Sequence, residues 1–226
     1  MLVAISGFSG SGKTSLLESL IARLSPEYRL LIVKDTHEER IDGPDTDTRR
    51  HRRAGAQASA ITAGQETALF WEGRLEVERL AELTAAQVVL LEGFKNSSYP
   101  KIWLGAGEGP HVVLRNPPVE AAERYIREQV TAENLPGLDC GDCGHPTCAA
   151  LAEAVVAGEA SLDDCVVPVQ PEVEVMVDGR HVPLKPFVQE FIAGAVRGML
   201  SALHGVEDGG ERRIRIEVRP RSSDMF

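Results

Sequence analysis

The chain has 226 residues, of which 43% are hydrophobic and 26% are charged, and its formal net charge is −10. This composition is typical of a soluble globular protein and argues against a general nucleic-acid binder. No apolar run approaches the ~20 residues needed to span a bilayer, and the first apolar stretch lacks the basic leader of a signal peptide. We therefore expect a cytoplasmic protein that binds neither nucleic acid nor membrane, in a compartment where thiols stay reduced.

Strands and helices alternate along the first part of the chain. The strands are predicted in chain order at LVAISG, LLIVKD, ASAIT, TALFW, VVLLEG, KIWLG and HVVLRN, some of them paired as hairpins. The helices are predicted at KTSLLESLIARL, DTRRHRRAGA, VERLAEL and VEAAERYIREQV. Such alternation predicts an α/β fold with a mostly parallel sheet covered on both faces.

The composition changes after residue 134. Residues 135–170 contain six acidic residues and no Lys or Arg, and such a shift indicates a domain boundary. A further segment follows, with an Asp-Gly hairpin in VEVMVDGRHVPL, a helix that begins at Pro186 and an alternating strand in RRIRIEV. We therefore predict three domains, at 1–134, 135–170 and 171–226, the last of them a ββαβ element.

The stretch GFSGSGKT, from Gly7 to Thr14, fits the phosphate-binding P-loop pattern, with a predicted strand before it and a helix after it. Glycines let backbone N–H groups turn toward phosphate oxygens, and the helix N-terminus adds positive potential. Lys13 would reach the β- and γ-phosphates and Thr14 would join a magnesium shell. The alternative is a chance Gly/Ser-rich turn. The predicted nucleotide contacts are Ser9, Gly10, Ser11, Gly12, Lys13, Thr14 and Ser15.

A P-loop also needs a carboxylate near the magnesium, at the end of another strand. Glu92 directly follows four apolar residues, and Gly93 after it allows close approach to the γ-phosphate. We predict Lys13 and Glu92 as catalytic residues, and Thr14 and Glu92 as magnesium ligands. The alternative is that Glu92 merely caps its strand.

The polar segment 34–53 is a candidate switch or substrate segment. Its acidic residues could reach metal and its arginines could reach phosphates, whereas the alternative is a solvated charged helix. The residues concerned are Asp42, Asp45, Asp47, Arg49, Arg50, Arg52 and Arg53.

Residues 1 to about 130 resemble the molybdopterin-guanine dinucleotide biosynthesis adaptor family, called MobB. The resemblance rests on GFSGSGKT, on Lys34 and His37 after the second strand, and on IDGPDTDT, RRAGA and LLEGFKNSSYPKI. It implies a GTP-binding P-loop fold with weak GTPase activity. It also implies a role in attaching a nucleotide to the molybdenum or tungsten pterin cofactor. The partners implied are a pterin-cofactor nucleotidyltransferase or a target molybdo- or tungsto-enzyme.

Two expectations accompany this resemblance. GTP comes from the family alone, because the Asn-Lys-x-Asp signature of many GTPases is absent, and Asn116 is a candidate base contact. The family is usually dimeric. We also expect a homodimer because Phe70 and Trp71, in the predicted hairpin, are costly to leave in water.

Four cysteines lie in a C-x2-C-x4-C-x16-C pattern at Cys140, Cys143, Cys148 and Cys165. In a reducing compartment such spacing indicates metal ligands rather than disulfides. Four thiolates satisfy a tetrahedral zinc or an iron–sulfur cubane, and unliganded thiols are the remaining alternative. Three of them crowd one glycine-rich turn, which favours the cubane over the paired ligands of zinc ribbons. His145 is a poorer ligand because four thiols suffice.

This segment also resembles the small four-iron cluster domain of electron-transfer subunits and corrinoid proteins. The shared pattern is Cys-Gly-x-Cys-Gly, then Thr-Cys-Ala, an Ala-rich helix, a Gly and a last Cys. The resemblance implies a 4Fe–4S cluster held by the four cysteines. Beside the adaptor role, two other functions fit: a nucleotide-gated metallocentre or iron–sulfur chaperone for a redox enzyme, and an electron-transfer module whose docking is controlled by nucleotide.

Overall fold

The computed structural model describes residues 1–167, 173–178, 180–201, 214 and 216. They fall into two compact units, Met1–Cys165 and Val166–Phe226, which are described separately. Within the described part of the chain, no helix combines the length and apolarity needed to cross a membrane.

The first unit is built on a five-stranded sheet in the order β2-β5-β1-β6-β7, and every neighbouring pair is parallel. Its strands are β1 (Leu2–Gly7), β2 (Leu30–Lys34), β5 (Val88–Glu92), β6 (Lys101–Leu104) and β7 (Val112–Arg115). The helices of this unit are α1 (Lys13–Leu24), α2 (Asp47–Arg53), α3 (Val77–Thr84), α4 (Val119–Glu133) and α5 (Cys148–Ala157). The predicted α/β fold with a mostly parallel sheet is confirmed.

Both faces of the sheet are covered, and strand β5 shows how. Val88 and Leu90 belong to the cluster that includes α1 and α4 residues, whereas Val89 and Leu91 pack with Val77 of α3 on the other face. A strand buried on both sides needs apolar residues at every position, which explains its unbroken apolar sequence.

Two predicted strands lie outside this sheet. β3 (Ala58–Thr62) and β4 (Thr67–Trp71) pair only with each other, as an antiparallel hairpin. Helix α2 precedes the hairpin, with Thr46 as its N-cap residue: the Thr46 hydroxyl accepts a hydrogen bond from the Arg49 N–H.

Helix α5 has clear start and stop signals. The Thr147 hydroxyl accepts a hydrogen bond from the Ala150 N–H at 3.0 Å, and Gly158 ends the helix in a left-handed conformation. Leu151 and Ala152 of α5 pack with Leu135, just after α4, in a small cluster of their own. The cysteine segment is thereby attached to the end of α4.

The second unit contains β8 (Val175–Val177) and β9 (Arg180–Val182), which pair in antiparallel fashion, and α6 (Pro186–Ser201). The predicted hairpin and the predicted helix start at Pro186 are both observed. The last strand of the predicted ββαβ element, at 212–218, lies outside the described residues apart from Ile214 and Ile216.

Candidate functional site: the P-loop and the cysteine segment

The P-loop connects β1 to α1, and its backbone requires glycine at two points. A Cβ on Gly7 would lie 2.3 Å from the Leu104 carbonyl oxygen, which no side chain tolerates. Gly12, the N-cap residue of α1, has a φ of 88°, in the left-handed region that favours glycine. The glycines of the motif are therefore used for the loop conformation that the sequence predicts.

Polar groups of this loop point inward. The Lys13 ammonium donates to the Phe8 carbonyl at 2.6 Å and so spans the loop. The Ser11 hydroxyl oxygen is buried and has no hydrogen-bond partner among the residues that the structure describes. A buried polar atom without a partner costs stability, and its placement in a phosphate-binding loop fits a ligand that would supply one.

The ends of three adjacent strands bring Glu92 to the start of α1. Ile5 of β1 and Lys34 of β2 are both aligned with Glu92 in the parallel register. One carboxylate oxygen of Glu92, Oε1, lies 3.5 Å from the Thr14 hydroxyl and 3.4 Å from the Lys34 ammonium. The two residues predicted as magnesium ligands thus lie together, and Lys34 faces the same oxygen.

A cavity of about 610 Å³ opens at this sheet edge. It is lined by Gly7, Ser9, Lys13, Lys34, Asp35, His37, Arg74, Glu92 and residues 93–97. Its position follows the rule that ligands of open α/β sheets bind at the carboxyl ends of the strands.

Several residues lining this cavity were not predicted as site residues, among them Asp35, Arg74 and Lys95. Arg74, which follows the β3–β4 hairpin, lies 3.0 Å from the Asp35 carboxylate, and Lys95 lies 4.9 Å from the Phe8 ring centroid. The sequence around Arg74 carries no signal of this role. Asp35 could have been found, since it directly follows a strand adjacent to β5.

Lys101, of the Pro-Lys-Ile motif, supports the loop that lines the cavity. Its side chain is fully buried, and its ammonium donates to the carbonyls of Ser97 and Tyr99. Burial lowers the pKa of Lys101. The motif therefore has a structural explanation within the site.

The polar segment is ordered around Asp42. This buried carboxylate accepts hydrogen bonds from Thr46 at 2.7 Å, Thr48 at 2.9 Å and Arg52 at 2.7 Å. Burial acts to raise the pKa of Asp42, but these hydrogen bonds outweigh burial and the pKa is lowered. Asp42 thus fixes the start of α2 and is engaged by protein groups rather than being free for a metal. Asp47 forms an ion pair with Arg50 on the surface.

Asn116 is also engaged by the backbone. Its side-chain oxygen accepts a hydrogen bond from the Gly105 N–H at 2.6 Å, which holds the turn after β6. Its amide therefore serves that turn, which weakens the prediction that it contacts a nucleotide base.

All four cysteines are free thiols and half-buried. Cys143, Cys148 and Cys165 pack against the small cluster of Leu135, Leu151 and Ala152. Cys148 begins α5, and its N–H donates to the Asp139 carboxylate at 2.7 Å. Cys165 follows a 3-10 turn capped by Ser161 and Asp164.

The donor chemistry of this segment fits a thiolate-held metal group, because four cysteines with no disulfide share one short stretch. Nowhere in the described residues do three or more His, Cys, Asp or Glu side chains stand close enough to hold a single metal ion. A tetrahedral zinc needs its four sulfurs only about 3.8 Å apart, given Zn–S bonds of about 2.3 Å. A preformed zinc site is therefore not part of this structure.

Comparisons with known proteins match both parts of the chain. The family model described as "Molybdopterin guanine dinucleotide synthesis protein B" matches residues 2–116, and the model described as "Putative Fe-S cluster" matches residues 135–167.

Curated relatives carry related names. A protein of Methanocaldococcus jannaschii, named "Putative molybdopterin-guanine dinucleotide biosynthesis adapter protein", is 27% identical over 96% of this chain and 97% of its own length. The Escherichia coli molybdopterin-guanine dinucleotide biosynthesis adapter protein is 35% identical over 50% of this chain and 71% of its own length. A solved structure of Bacillus subtilis MobB is 28% identical over 45% of this chain and 63% of that chain, with a TM-score of 0.34.

The family model spans half of the chain and ends at Asn116, and the E. coli relative exceeds 30% identity over more than two thirds of its length. The resemblance predicted from the P-loop, the Glu-Gly-Phe-Lys stretch and the Pro-Lys-Ile motif is confirmed: the chain belongs to the molybdopterin guanine dinucleotide synthesis protein B family, MobB.

Proposed function

We propose that this protein binds GTP with Mg²⁺ at its P-loop and acts as an adaptor in molybdopterin guanine dinucleotide biosynthesis. The observation that carries the proposal is the meeting of Thr14, Lys34 and Glu92 beside the P-loop, at the mouth of a 610 Å³ cavity. Family membership and the adapter names of two relatives support the biosynthetic role.

Each group has a physical role in this proposal. The N–H groups of residues 9–15 surround the phosphates, and Lys13 exchanges the Phe8 carbonyl for the β- and γ-phosphate oxygens. Thr14 and Glu92 would hold magnesium, and the Glu92 carboxylate would orient the waters around it. Lys34 would shift from Glu92 toward phosphate as the metal takes the carboxylate.

The base and the hydrolysis rate rest on family likeness. We infer GTP because the family implies it. We infer weak GTPase activity in which Lys13 and Glu92 are the catalytic residues.

We propose that Cys140, Cys143, Cys148 and Cys165 hold a 4Fe–4S cluster. The family model for an Fe–S segment at 135–167 supports a cluster at this place. A cubane spreads its thiolates over four irons, so it tolerates wider sulfur positions than a single zinc. When bound, such a cluster supplies one-electron chemistry or structural order; the chain supplies the thiolates and the Leu135–Leu151–Ala152 packing beneath them.

The adaptor role implies a partner, which we propose to be a pterin-cofactor nucleotidyltransferase or a target molybdo- or tungsto-enzyme, in the cytoplasm. We also propose a homodimer that uses the β3–β4 hairpin. The exposed apolar residues there are Ile61, Leu69 and, at 37% exposure, Trp71. Phe70 is half-buried, with the Arg52 guanidinium 5.2 Å from its ring centroid, so Phe70 contributes less to this surface than expected.

Nothing in the described residues specifically favours the alternative role of a metallocentre or iron–sulfur chaperone. The M. jannaschii relative matches 96% of this chain, and it carries the adapter name. We therefore keep the domains at 1–134, 135–170 and 171–226 as parts of one adaptor.

Calorimetric titration of the anaerobically purified full chain tests this function. GTP should bind more tightly with Mg²⁺ than with a chelator, and more tightly than ATP. Lys13→Ala should weaken GTP binding about 100-fold, or about 3 kcal/mol, because a charge-assisted contact to phosphate is lost. Addition of the protein to a purified pterin-cofactor nucleotidyltransferase should raise the yield of guanylated cofactor. Wild-type affinity in Lys13→Ala would disprove the P-loop assignment, and an unchanged yield would disprove the adaptor role.

A further inference from the structure

A second cavity, of about 330 Å³, has no lining residue in common with the nucleotide cavity. It lies between the loop before α2, helix α2 and the end of the hairpin. Its lining residues are Arg40, Arg49, Arg52, Arg53 and Glu72. Four guanidinium groups around one open cavity repel one another, so the arrangement needs an explanation.

Part of the cavity wall is fixed by internal contacts. Arg52 is buried, and its guanidinium donates to Asp42 at 2.7 Å and to the Ser59 hydroxyl at 2.6 Å. The Ser59 hydroxyl in turn donates to the Thr48 carbonyl. These contacts lock α2 onto strand β3, so the arginines of α2 are presented from a rigid element.

Of the other three arginines, one is paired with a carboxylate among the described residues and two are not. Arg40 is bound by both oxygens of Glu72, at 3.1 and 3.4 Å. Arg49 and Arg53 have no carboxylate partner in the described part of the chain. The Nε of Arg49 is buried and lacks an acceptor there. An unpaired buried donor is costly unless a ligand completes it.

Charge counting sets the class of ligand. Among the lining residues and Asp42, which is bound to Arg52, four arginines face two carboxylates, an excess of two positive charges, with Glu39 as a further acidic group near Arg40. A phosphate monoester is close to a dianion at neutral pH, and guanidinium forks match its oxygens in bidentate fashion. The cavity volume is at the lower end of the range for small-molecule sites and exceeds the space of one phosphate group.

We propose that this cavity binds a small phosphate monoester, with Arg49 and Arg53 as the main contacts to its phosphate. The site is distinct from the P-loop and does not depend on nucleotide binding there. Two of its lining residues are nevertheless close in sequence to residues that line the nucleotide cavity. Arg40 and Glu72 lie three and two residues from His37 and Arg74, which line that cavity.

The test uses the full chain carrying Lys13→Ala, so that phosphate binding at the P-loop is suppressed. Calorimetric titration with ribose 5-phosphate should show one site per chain. Adding Arg49→Gln and Arg53→Gln should weaken this binding at least about 30-fold, since two charged contacts are lost. Inorganic phosphate should bind more weakly than the ester, because it leaves much of the cavity unfilled.

The matched control is Arg50→Gln, which removes one charge from the same helix but from a side chain that lies outside the cavity and pairs with Asp47. It should change affinity less than about threefold. Arg49→Lys with Arg53→Lys keeps the charge and loses the planar fork, so it should give an intermediate loss with the same far-UV circular dichroism.

Three results would overturn the proposal. The first is that the Lys13→Ala chain does not bind ribose 5-phosphate. The second is that both Gln substitutions together leave its binding unchanged. The third is an equal loss of affinity in Arg50→Gln, which would indicate diffuse charge attraction. Inorganic phosphate binding as tightly as the ester would overturn the ester assignment. Each outcome can be separated from the nucleotide function, since Lys13 is already removed.

Discussion

The nucleotide-binding part and the cysteine segment differ in what holds them together. The cluster between the sheet and helices α1 and α4 contains thirteen buried hydrophobic residues, whereas the cluster beneath the cysteines contains three. Burial of apolar surface is the main stabilising contribution in folding. The first region therefore has the larger apolar core, and we predict that the second depends on its attachment to α4 and on a metal group bound to its thiols.

The same difference appears in the two candidate sites. The P-loop, Thr14 and Glu92 are positioned by strands whose register is fixed by a buried sheet. The cysteines lie on turns and at the start of one short helix, with only Leu135, Leu151 and Ala152 beneath them. A site built on rigid elements is preformed, whereas a site built on turns gains its order from what binds it.

The largest expected effect is the loss of metal from the cysteine segment. Cys148→Ser should remove all iron, of which an anaerobic wild-type preparation should carry about four atoms per chain. The same loss of iron is expected when Cys140, Cys143 or Cys165 is replaced by Ser. GTP affinity should be unchanged, because the P-loop depends on the other core. Iron analysis and nucleotide titration on one sample check both points.

His145→Ala is the matched control for that experiment, since His145 lies in the same loop and four thiols already complete the donor set. It should retain its iron. Iron loss in His145→Ala would make the histidine a ligand, and stoichiometric zinc in place of iron would replace the cluster with a structural metal site.

Truncation of one side chain in each core should show that the two cores stabilise different parts of the first unit. Leu90→Ala removes a fully buried side chain from β5, an interior strand of the sheet, and should lower the free energy of unfolding by about 2–5 kcal/mol. Leu151→Ala should instead increase hydrogen exchange in residues 138–165 and leave the sheet protected. Denaturant unfolding and exchange mass spectrometry measure the two effects. Equal loss of protection throughout the first unit in both variants would contradict separate sources of stability.

A smaller effect is expected at the magnesium side of the preformed site. Glu92→Gln removes the carboxylate charge and should reduce the enhancement of GTP binding by Mg²⁺ about tenfold, or about 1.4 kcal/mol. It should also slow hydrolysis. Glu18→Gln, an exposed change on α1, is the control and should behave like the wild type. An unchanged magnesium response in Glu92→Gln would assign Glu92 a structural role.

The smallest expected effect concerns acid stability. The pKa of Asp42 is lowered in the folded state from its usual 3.8, so the unfolded state binds this proton more readily. The stability that Asp42 contributes is therefore complete above pH 3.8 and is lost as the pH falls through the lower folded-state pKa. Asp42→Asn should lack this part of the acid destabilisation, measured as unfolding midpoint against pH. Asp45→Asn, in the same loop but exposed, should retain the wild-type dependence.

Much of the first unit could be predicted from the sequence because its signals are local. The P-loop glycines, the amphipathic helix α1 and the apolar run of β5 each identify one element. The parallel pairing of β1 and β5 then explains why Thr14 meets Glu92. The glycine that follows the Ala-rich stretch likewise marks the end of α5, at Gly158.

Contacts between distant elements could not be predicted. Phe70 was expected to lie on the surface, but Arg52 of α2 lies over its ring, which is a tertiary contact that no local pattern encodes. Arg74 reaches Asp35 across 39 positions of sequence for the same reason. The arginine-lined cavity likewise depends on how α2 packs against the hairpin, so the sequence indicated basic residues there without indicating their shared space.

Hydrogen–deuterium exchange of the anaerobic full chain, before and after iron removal with a chelator, measures whether metal or an apolar core holds each region together. Residues 138–165 should lose protection when iron is removed while the buried strands β1 and β5 keep theirs, since the sheet is stabilised by its own core. Equal protection of the cysteine segment with and without iron, or loss of protection in β1 and β5 along with it, would show that the two regions are not stabilised separately.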